Sequence, residues 1–241
     1  MQRPHHRSWP KRLPHSISPP QTSLWDNLAV SARRYPGKAA LVFFGRVFRY
    51  ADLQAQAERL AARLQAMGVR KGDRVMLDMQ NCPQLVIAHF AILRANAVVV
   101  PVNPMNRAEE LKHYITDPDA RVAITTSDLA GEIVRASDAL PEADRLAHLI
   151  VTHFTDAFDA AATGPDAPPP AWHDWLLTRH PMPVLAGGTL APDTCALKAS
   201  VNWVTMRWAS RSSAGSASLA RAISAASSPV VIATLASGSV M

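Results

Sequence analysis

Nine histidines, two cysteines and 19 carboxylates are the side chains of this 241-residue sequence that could bind a metal or move a proton. Their spacing gives them little of that work. His89 falls inside LVIAHFAIL, where a histidine is expected to pack in or beside the core. His113 and Tyr114 lie on NRAEELKHYITD, a helical pattern on which both read as a solvated face. His148 and His153 flank an apolar run, and His173 and His180 sit in irregular sequence. None forms HExxH or another zinc spacing, so no metal-binding residue is expected. Cys82 lies near a helix start, a position that can lower a thiol pKa, but no partner histidine accompanies it. Glu109 and Glu110 suit the first turn of a helix, where negative charge meets the helix dipole, better than acid/base work. There is no nucleophile elbow, and no GxGxxG follows a strand, which argues against a hydrolase and a dinucleotide-binding domain. No residue is therefore assigned a catalytic, cofactor-binding or metal-binding role.

The elements that would position such chemistry are clearer. SLWDNLAVSARRYPG reads as a helix, with Leu24, Leu28 and Ala32 on one stripe and Pro36-Gly37 ending it. AALVFFGRVFRY predicts a hairpin around Gly45. In FRYADLQAQAERLAARLQAMGVRKGDRVML, Leu53, Ala57, Leu60, Leu64 and Met67 make one apolar helix stripe. Asp52 falls in its first turn, Gly68 falls where a left-handed residue is wanted, and Val75 to Leu77 begin a strand. NCPQLVIAHFAILRA predicts a helix capped by Asn81 with Pro83 in its first turn. AVVVPV predicts a strand buried on both faces. A helix (NRAEELKHYITD), a strand (ARVAITT), a helix (SDLAGEIVRASDAL) and a strand (LAHLIVTH) follow. Strict alternation implies right-handed crossovers and a partial, doubly wound, mostly parallel α/β sheet with flanking helices.

Composition bounds the rest. At 48 % apolar and 18 % charged residues the chain is of globular type. The formal charge of +6 comes from the ends: residues 1–20 and 198–241 hold eight Lys and Arg and no acid. Setting those eight aside leaves 17 basic residues against all 19 acidic ones. With no groove-reading motif beside the charge, nucleic acid is not an expected partner. The longest apolar stretch, Leu85 to Val102, contains His89, Arg94, Asn96 and Pro101 and reads as helix then strand, not as a membrane span. Cys82 and Cys195 form no disulfide framework, and a cytoplasmic location is expected. Residues 1–21 read as a disordered basic leader without the apolar region of a secretory signal. Residues 22–158 carry the α/β pattern. DAAATGPDAPPP opens a linker region, 159–197, in which AWHDWLL is a short helix and Trp172 and Trp175 are expected to cover an apolar edge. From residue 200 onward the chain holds 11 Ser and 9 Ala in 42 residues and no acid, so 198–241 is a tail of different character.

Several of these segments together resemble the N-terminal part of the AMP-forming acyl-CoA synthetases and other adenylate-forming ligases. FRYADLQAQAERLAARLQAMGVRKGDRVML resembles the family's opening Tyr-x-(Asp/Glu)-Leu helix and its Gly-Asp-Arg-Val strand. NCPQLVIAHFAILRANAVVVPVNPMNRAEELKHYITDPDARVAIT is similar to its Lys-Ala-Gly-Ala-x-x-Val-Pro-Leu-Asn-Pro region, its Glu-Glu-Leu helix and the next strand, with Asn96 where the family usually has Gly. APDTCALK resembles the segment leading into the nucleotide loop. The order and spacing over residues 22 to about 197 make the match specific.

The resemblance implies a parent reaction: ATP activates a carboxylic acid, most often a medium- or long-chain fatty acid, to an acyl-adenylate, and coenzyme A displaces AMP. It implies ATP, Mg and coenzyme A for an intact enzyme. The family's phosphate loop is Ser/Thr/Gly-rich and ends in Pro-Lys-Gly, because small residues let backbone N–H groups approach phosphates. Here CALK runs into ASVNWVTMRWASRSSAG, and AGGTLAP at 186–192 lacks lysine or proline in register and reads as a turn. The later family motifs and the C-terminal domain with its lysine are also not found. The expectation is a truncated or frameshifted acyl-CoA synthetase, inactive as this chain and binding no cofactor. An alternative is a non-catalytic interaction protein whose half-built sheet invites self-association or aggregation. A different small Rossmann-like enzyme is disfavoured by the missing phosphate loops.

Overall fold

The computed structural model describes residues 4–158, 167–178 and 180–181, and the strand segments 189–190 and 204–207. Ser23 opens the first helix, α1 (Leu24–Arg34): its hydroxyl accepts from Asp26 N–H, and Asp26 accepts from Ser23 N–H at 2.8 Å. The buried stripe is Trp25, Leu28 and Ala32; Leu24, expected on it, is exposed. Trp25 takes the core side instead, because this helix is rotated to pack against the next two helices of the chain. β1 (Ala39–Phe43) and β2 (Arg46–Arg49) form the expected antiparallel hairpin. Its two-residue turn, Phe44-Gly45, has φ of 43° and 73°, and Gly45 takes that left-handed backbone without the cost that Phe44 carries.

α2 (Tyr50–Ala66) buries Leu53, Ala57, Leu60 and Leu64, while Met67 lies just past its end and packs on the same core from a partly exposed position. Asp52 accepts from Arg49 N–H at 3.2 Å in the first turn. Gly68, at φ 95°, ends the helix, with Val69 N–H donating to Leu64 O at 3.0 Å. β3 (Arg74–Asp78) follows, then α3 (Pro83–Arg94). Cys82, not Asn81, is the N-cap of α3, without a side-chain cap bond, and Pro83 is the first helical residue. Asn96, which stands where the resembled family usually has Gly, takes φ 60° after the helix end, a left-handed backbone that Asn tolerates better than most residues.

β4 (Val98–Val102), α4 (Ala108–Thr116), β5 (Val122–Thr126), α5 (Ala130–Asp138) and β6 (His148–Thr152) complete the alternation. The sheet order is β4-β3-β5-β6, all parallel, with Met76 beside Val100 and Ala123, and Ile124 beside Ile150. Beyond the short helix α6 (His173–Leu177), β7 (Thr189–Leu190) and β8 (Val204–Arg207) extend the sheet antiparallel, β8 lying against β6. β8 falls within the stretch read from composition as a tail.

One expectation about the sheet is corrected. β4 is its edge strand, not a strand buried on both faces: only Val102 is buried and Val98 is 47 % exposed. Pro101 suits an edge, where a missing N–H costs no ladder bond. The sheet divides two cores. Val75, Leu77, Ile124 and Ile150 face α1, α2 and α3; Met76, Ala123, Leu149 and Val151 face α4 and α5. Each fully buried Leu or Ile contributes about 1.5–3 kcal/mol of transfer free energy, so both faces are held by burial. Tyr114 packs partly buried on the second core, whereas His113 is exposed, so only the histidine of that pair is on the solvated face.

Candidate functional site

In an open parallel sheet the place for a ligand is outside the carboxyl ends of the strands, where the order reverses. The chain leaves β3 toward β4 on one side and returns to β5 on the other, so that point lies between β3 and β5. Asp78 ends β3 there and is 2 % exposed. Thr125 lies beside it in register and donates its hydroxyl to Asp78 O at 2.7 Å. Asp128 follows in the turn between β5 and α5. Oδ1 of Asp78 and Oδ1 of Asp128 are both buried without a hydrogen-bond partner. Burial, and then the negative charge of Asp128, push the Asp78 carboxyl up to about 7.

The opposite rim belongs to α3 and to the turn after β6. Gln84 is fully buried and donates Nε2 to His153 O at 2.9 Å, tying the start of α3 to the end of β6. Cys82 is buried, and burial raises its thiol to about 12; N–H groups of Leu85 and Gln84 oppose this and Asp128 adds to it. The lowered pKa that a helix-start cysteine can have is therefore corrected: desolvation outweighs the helix end, and the thiol is inert. Trp175 of α6 donates Nε1 to Asp128 Oδ2 at 3.0 Å and lies 4.7 Å from the Phe154 ring. Trp172 meets Phe44 edge-on at 6.2 Å. Both tryptophans cover apolar surface, as expected, and Trp175 also reaches the strand ends.

A second concavity opens between α3 and the β3–β4 side of the sheet. It has a volume of about 320 Å³ and is lined by Leu77, Leu85, Val86, His89, Val99 and Pro101. His89 is its single titratable group, held below its ordinary value by burial. It packs at the edge of the core, as the apolar run around it requires.

The remaining residues weighed for chemistry do structural work. Glu110 accepts from Arg107 N–H at 2.9 Å, and backbone N–H groups of Glu110 itself and of Arg107 hold its carboxyl low. Glu109 pairs with Lys112 at 2.8 Å on an exposed face. His148 begins β6, His153 follows its end, and His180 lies beyond α6. His173 starts α6; its side chain and Cys195 lie outside the described residues, and of the AGGTLAP stretch, read as a turn, the two described residues Thr189–Leu190 form the strand β7 instead, because they pair with β8. Among the described residues no group of three His, Cys, Asp or Glu side chains could hold a metal ion, and no helix is long and apolar enough to cross a membrane. Asp78 and Asp128 had no signal in spacing. The one available hint was an aspartate closing the apolar strand RVMLD.

A mostly parallel, doubly wound sheet with a polar switch point is the architecture in which open α/β proteins bind ligands outside the strand ends. The chain belongs to the AMP-binding enzyme family, whose match covers residues 28–197. It is 38 % identical over 124 residues to a long-chain-fatty-acid–CoA ligase of Bacillus subtilis (strain 168), an alignment covering 52 % of this chain and 22 % of that protein. It is 34 % identical over 155 residues to a long-chain-fatty-acid–CoA ligase of Escherichia coli O6:H1, covering 64 % of this chain and 27 % of the relative. Among solved structures it resembles the anthranilate CoA ligase AuaEII in complex with anthranoyl-AMP, at 25 % identity and a TM-score of 0.51 over 54 % of this chain and 25 % of that one. The chain thus spans about a quarter of the length of these relatives.

Proposed function

We propose that this chain carries the N-terminal scaffold of a fatty-acid–CoA ligase whose sequence leaves the family pattern near residue 198, as a frameshift would produce, and that it does not itself activate an acid. The parent reaction is formation of an acyl-adenylate from ATP and a long- or medium-chain fatty acid, followed by transfer to coenzyme A. What supports the substrate class is the similarity to long-chain-fatty-acid–CoA ligases. What supports inactivity is one observation in the sequence: where a loop of small and hydroxyl residues ending in Pro-Lys-Gly is needed, CALKASVNWVTMRWAS stands instead. Developing phosphate charge then lacks the backbone donors and lysine that would stabilise it. Neither ATP, Mg nor coenzyme A is a cofactor of this chain on this reading, and its place is the cytoplasm.

The test is ATP–pyrophosphate exchange by the full chain with a long-chain fatty acid, with Mg-ATP calorimetry beside it. No exchange and no saturable binding at low micromolar ATP are expected. Exchange above the enzyme-free blank, or a micromolar isotherm, would overturn the reading.

The open edge of β4 beside the apolar α3 groove favours a second reading, a non-catalytic interaction protein that pairs with itself. A concentration-dependent elution position in size-exclusion chromatography separates it from a lone scaffold.

A further inference from the structure

We propose that Thr126, Thr152 and Gln84 form a buried binding site for an ordered water molecule, which clips the start of α3 to the carboxyl ends of β5 and β6. Thr126 ends β5, Thr152 ends β6, and the two are register partners. Side chains alternate along a strand, so both stand on the face of Ile124 and Ile150, toward α1, α2 and α3. Gln84 reaches the same place from the first turn of α3. Its Nε2 donates at 2.9 Å to the carbonyl of His153, the residue after Thr152. All three residues are fully buried. Each nonetheless has a side-chain oxygen without a hydrogen-bond partner: Oγ1 of Thr126, Oγ1 of Thr152 and Oε1 of Gln84.

Unpaired polar oxygens in an interior are costly, and folded proteins pair such groups with protein or with water. A water fits these atoms. Neighbouring strands lie about 4.8 Å apart, so hydroxyls on register partners can both come within about 2.8 Å of a water between them. The donors and acceptors also balance. Gln84 Oε1 only accepts, whereas a threonine hydroxyl both donates and accepts. A water donating to Gln84 Oε1 and to one threonine, and accepting from the other, makes the three bonds usual for a buried water. None of the three groups is ionisable, so nothing among them offsets a charge, and the occupant is neutral. Asp78 does not supply that charge: it alternates with Leu77 and stands with Met76 on the opposite face of the sheet. Full burial of all three residues limits the occupant to the size of a water.

The experiment is oxygen-17 relaxation dispersion of the solvent around the full chain, which counts long-lived waters and does not respond to exchange of hydroxyl protons. The native chain is expected to hold about one more such water than Thr126→Val or Thr152→Val. Thr152→Ser, which keeps the hydroxyl, is expected to match the native chain. Equal counts in the native chain and either folded Val variant, or a Ser variant that behaves as the Val variant does, would overturn the site. A second measurement needs no variant. With methyl-labelled threonine in the native chain, rotating-frame cross-peaks to water are expected from the Thr126 and Thr152 methyl groups, and their absence would overturn the site as well.

Discussion

At the scale of single residues, Asp78 is a buried carboxyl whose burial weakens the fold as pH rises. It is buried at a strand end with no partner for Oδ1 and with a second carboxylate nearby. Its folded pKa is raised from 3.8 to about 7, so the native state holds its proton more tightly than the unfolded state does. Stability from this group is intact below about pH 4, falls as pH rises toward 7, and stays at its lower level above 7. By linkage the loss is on the order of 4 kcal/mol. Asp78→Asn removes the charge but buries an amide that also lacks partners. We expect it to raise stability at pH 8 by about 1–3 kcal/mol, with no gain at pH 4. Urea unfolding at the two pH values measures this; equal or lower stability at pH 8 would refute the linkage. Nothing in the spacing of the sequence marks Asp78, because its burial depends on which strands flank β3. Gly68 and Asn96 were legible for the opposite reason. Their left-handed backbones at φ 95° and 60° answer to local helix ends, and local rules reach them.

At the scale of elements, what was legible was whatever is written in one period. The α2 stripe, the hairpin around Gly45 and the α/β alternation through β6 each follow from a repeat of 3.6 or 2, or from a turn residue. What was not legible depends on neighbours. All five residues of β4 are valine or proline, an apolar run read as a central strand, but its position at the sheet edge is set by the β3–β5 pairing elsewhere. Trp25 rather than Leu24 faces the core because α1 is rotated to meet α2 and α3, a packing choice invisible in its own sequence. The β4 edge also gives the test of self-pairing. Val98 is half-exposed there and contributes little to the core, so Val98→Lys should change stability by no more than about 0.5 kcal/mol. A charge on an edge strand opposes strand addition. If β4 mediates self-association, the variant should shift the size-exclusion profile toward monomer at equal concentration. An unchanged profile would place any association elsewhere.

At the scale of the whole molecule, two kinds of sequence meet near residue 198. The AMP-binding family match runs from residue 28 to residue 197. From residue 200 onward the composition turns to Ser and Ala, with Arg and no acid, where soluble surfaces normally mix both signs. A boundary between folding units belongs in an exposed linker. Here it falls just before Val204–Arg207, which completes hydrogen bonding along the free side of β6. Covering that edge needs only backbone groups, and an antiparallel strand of almost any sequence can supply them. The place of β8 in the sheet is therefore compatible with a tail of foreign origin. We propose that residues from about 198 are read out of the ancestral frame, or derive from a fused or deleted gene. The measurement is translation of the encoding DNA from codon 198 onward in all three frames. A Thr/Ser-Gly-rich loop ending in Pro-Lys-Gly soon after that codon, in another frame, is the expected result for a frameshift. Family-like sequence resuming only further downstream indicates a deletion or fusion. If no frame there or beyond resembles an AMP-binding enzyme, the tail is native to this protein, β8 is its own sixth strand, and self-pairing through β4 becomes the leading account of what the chain does.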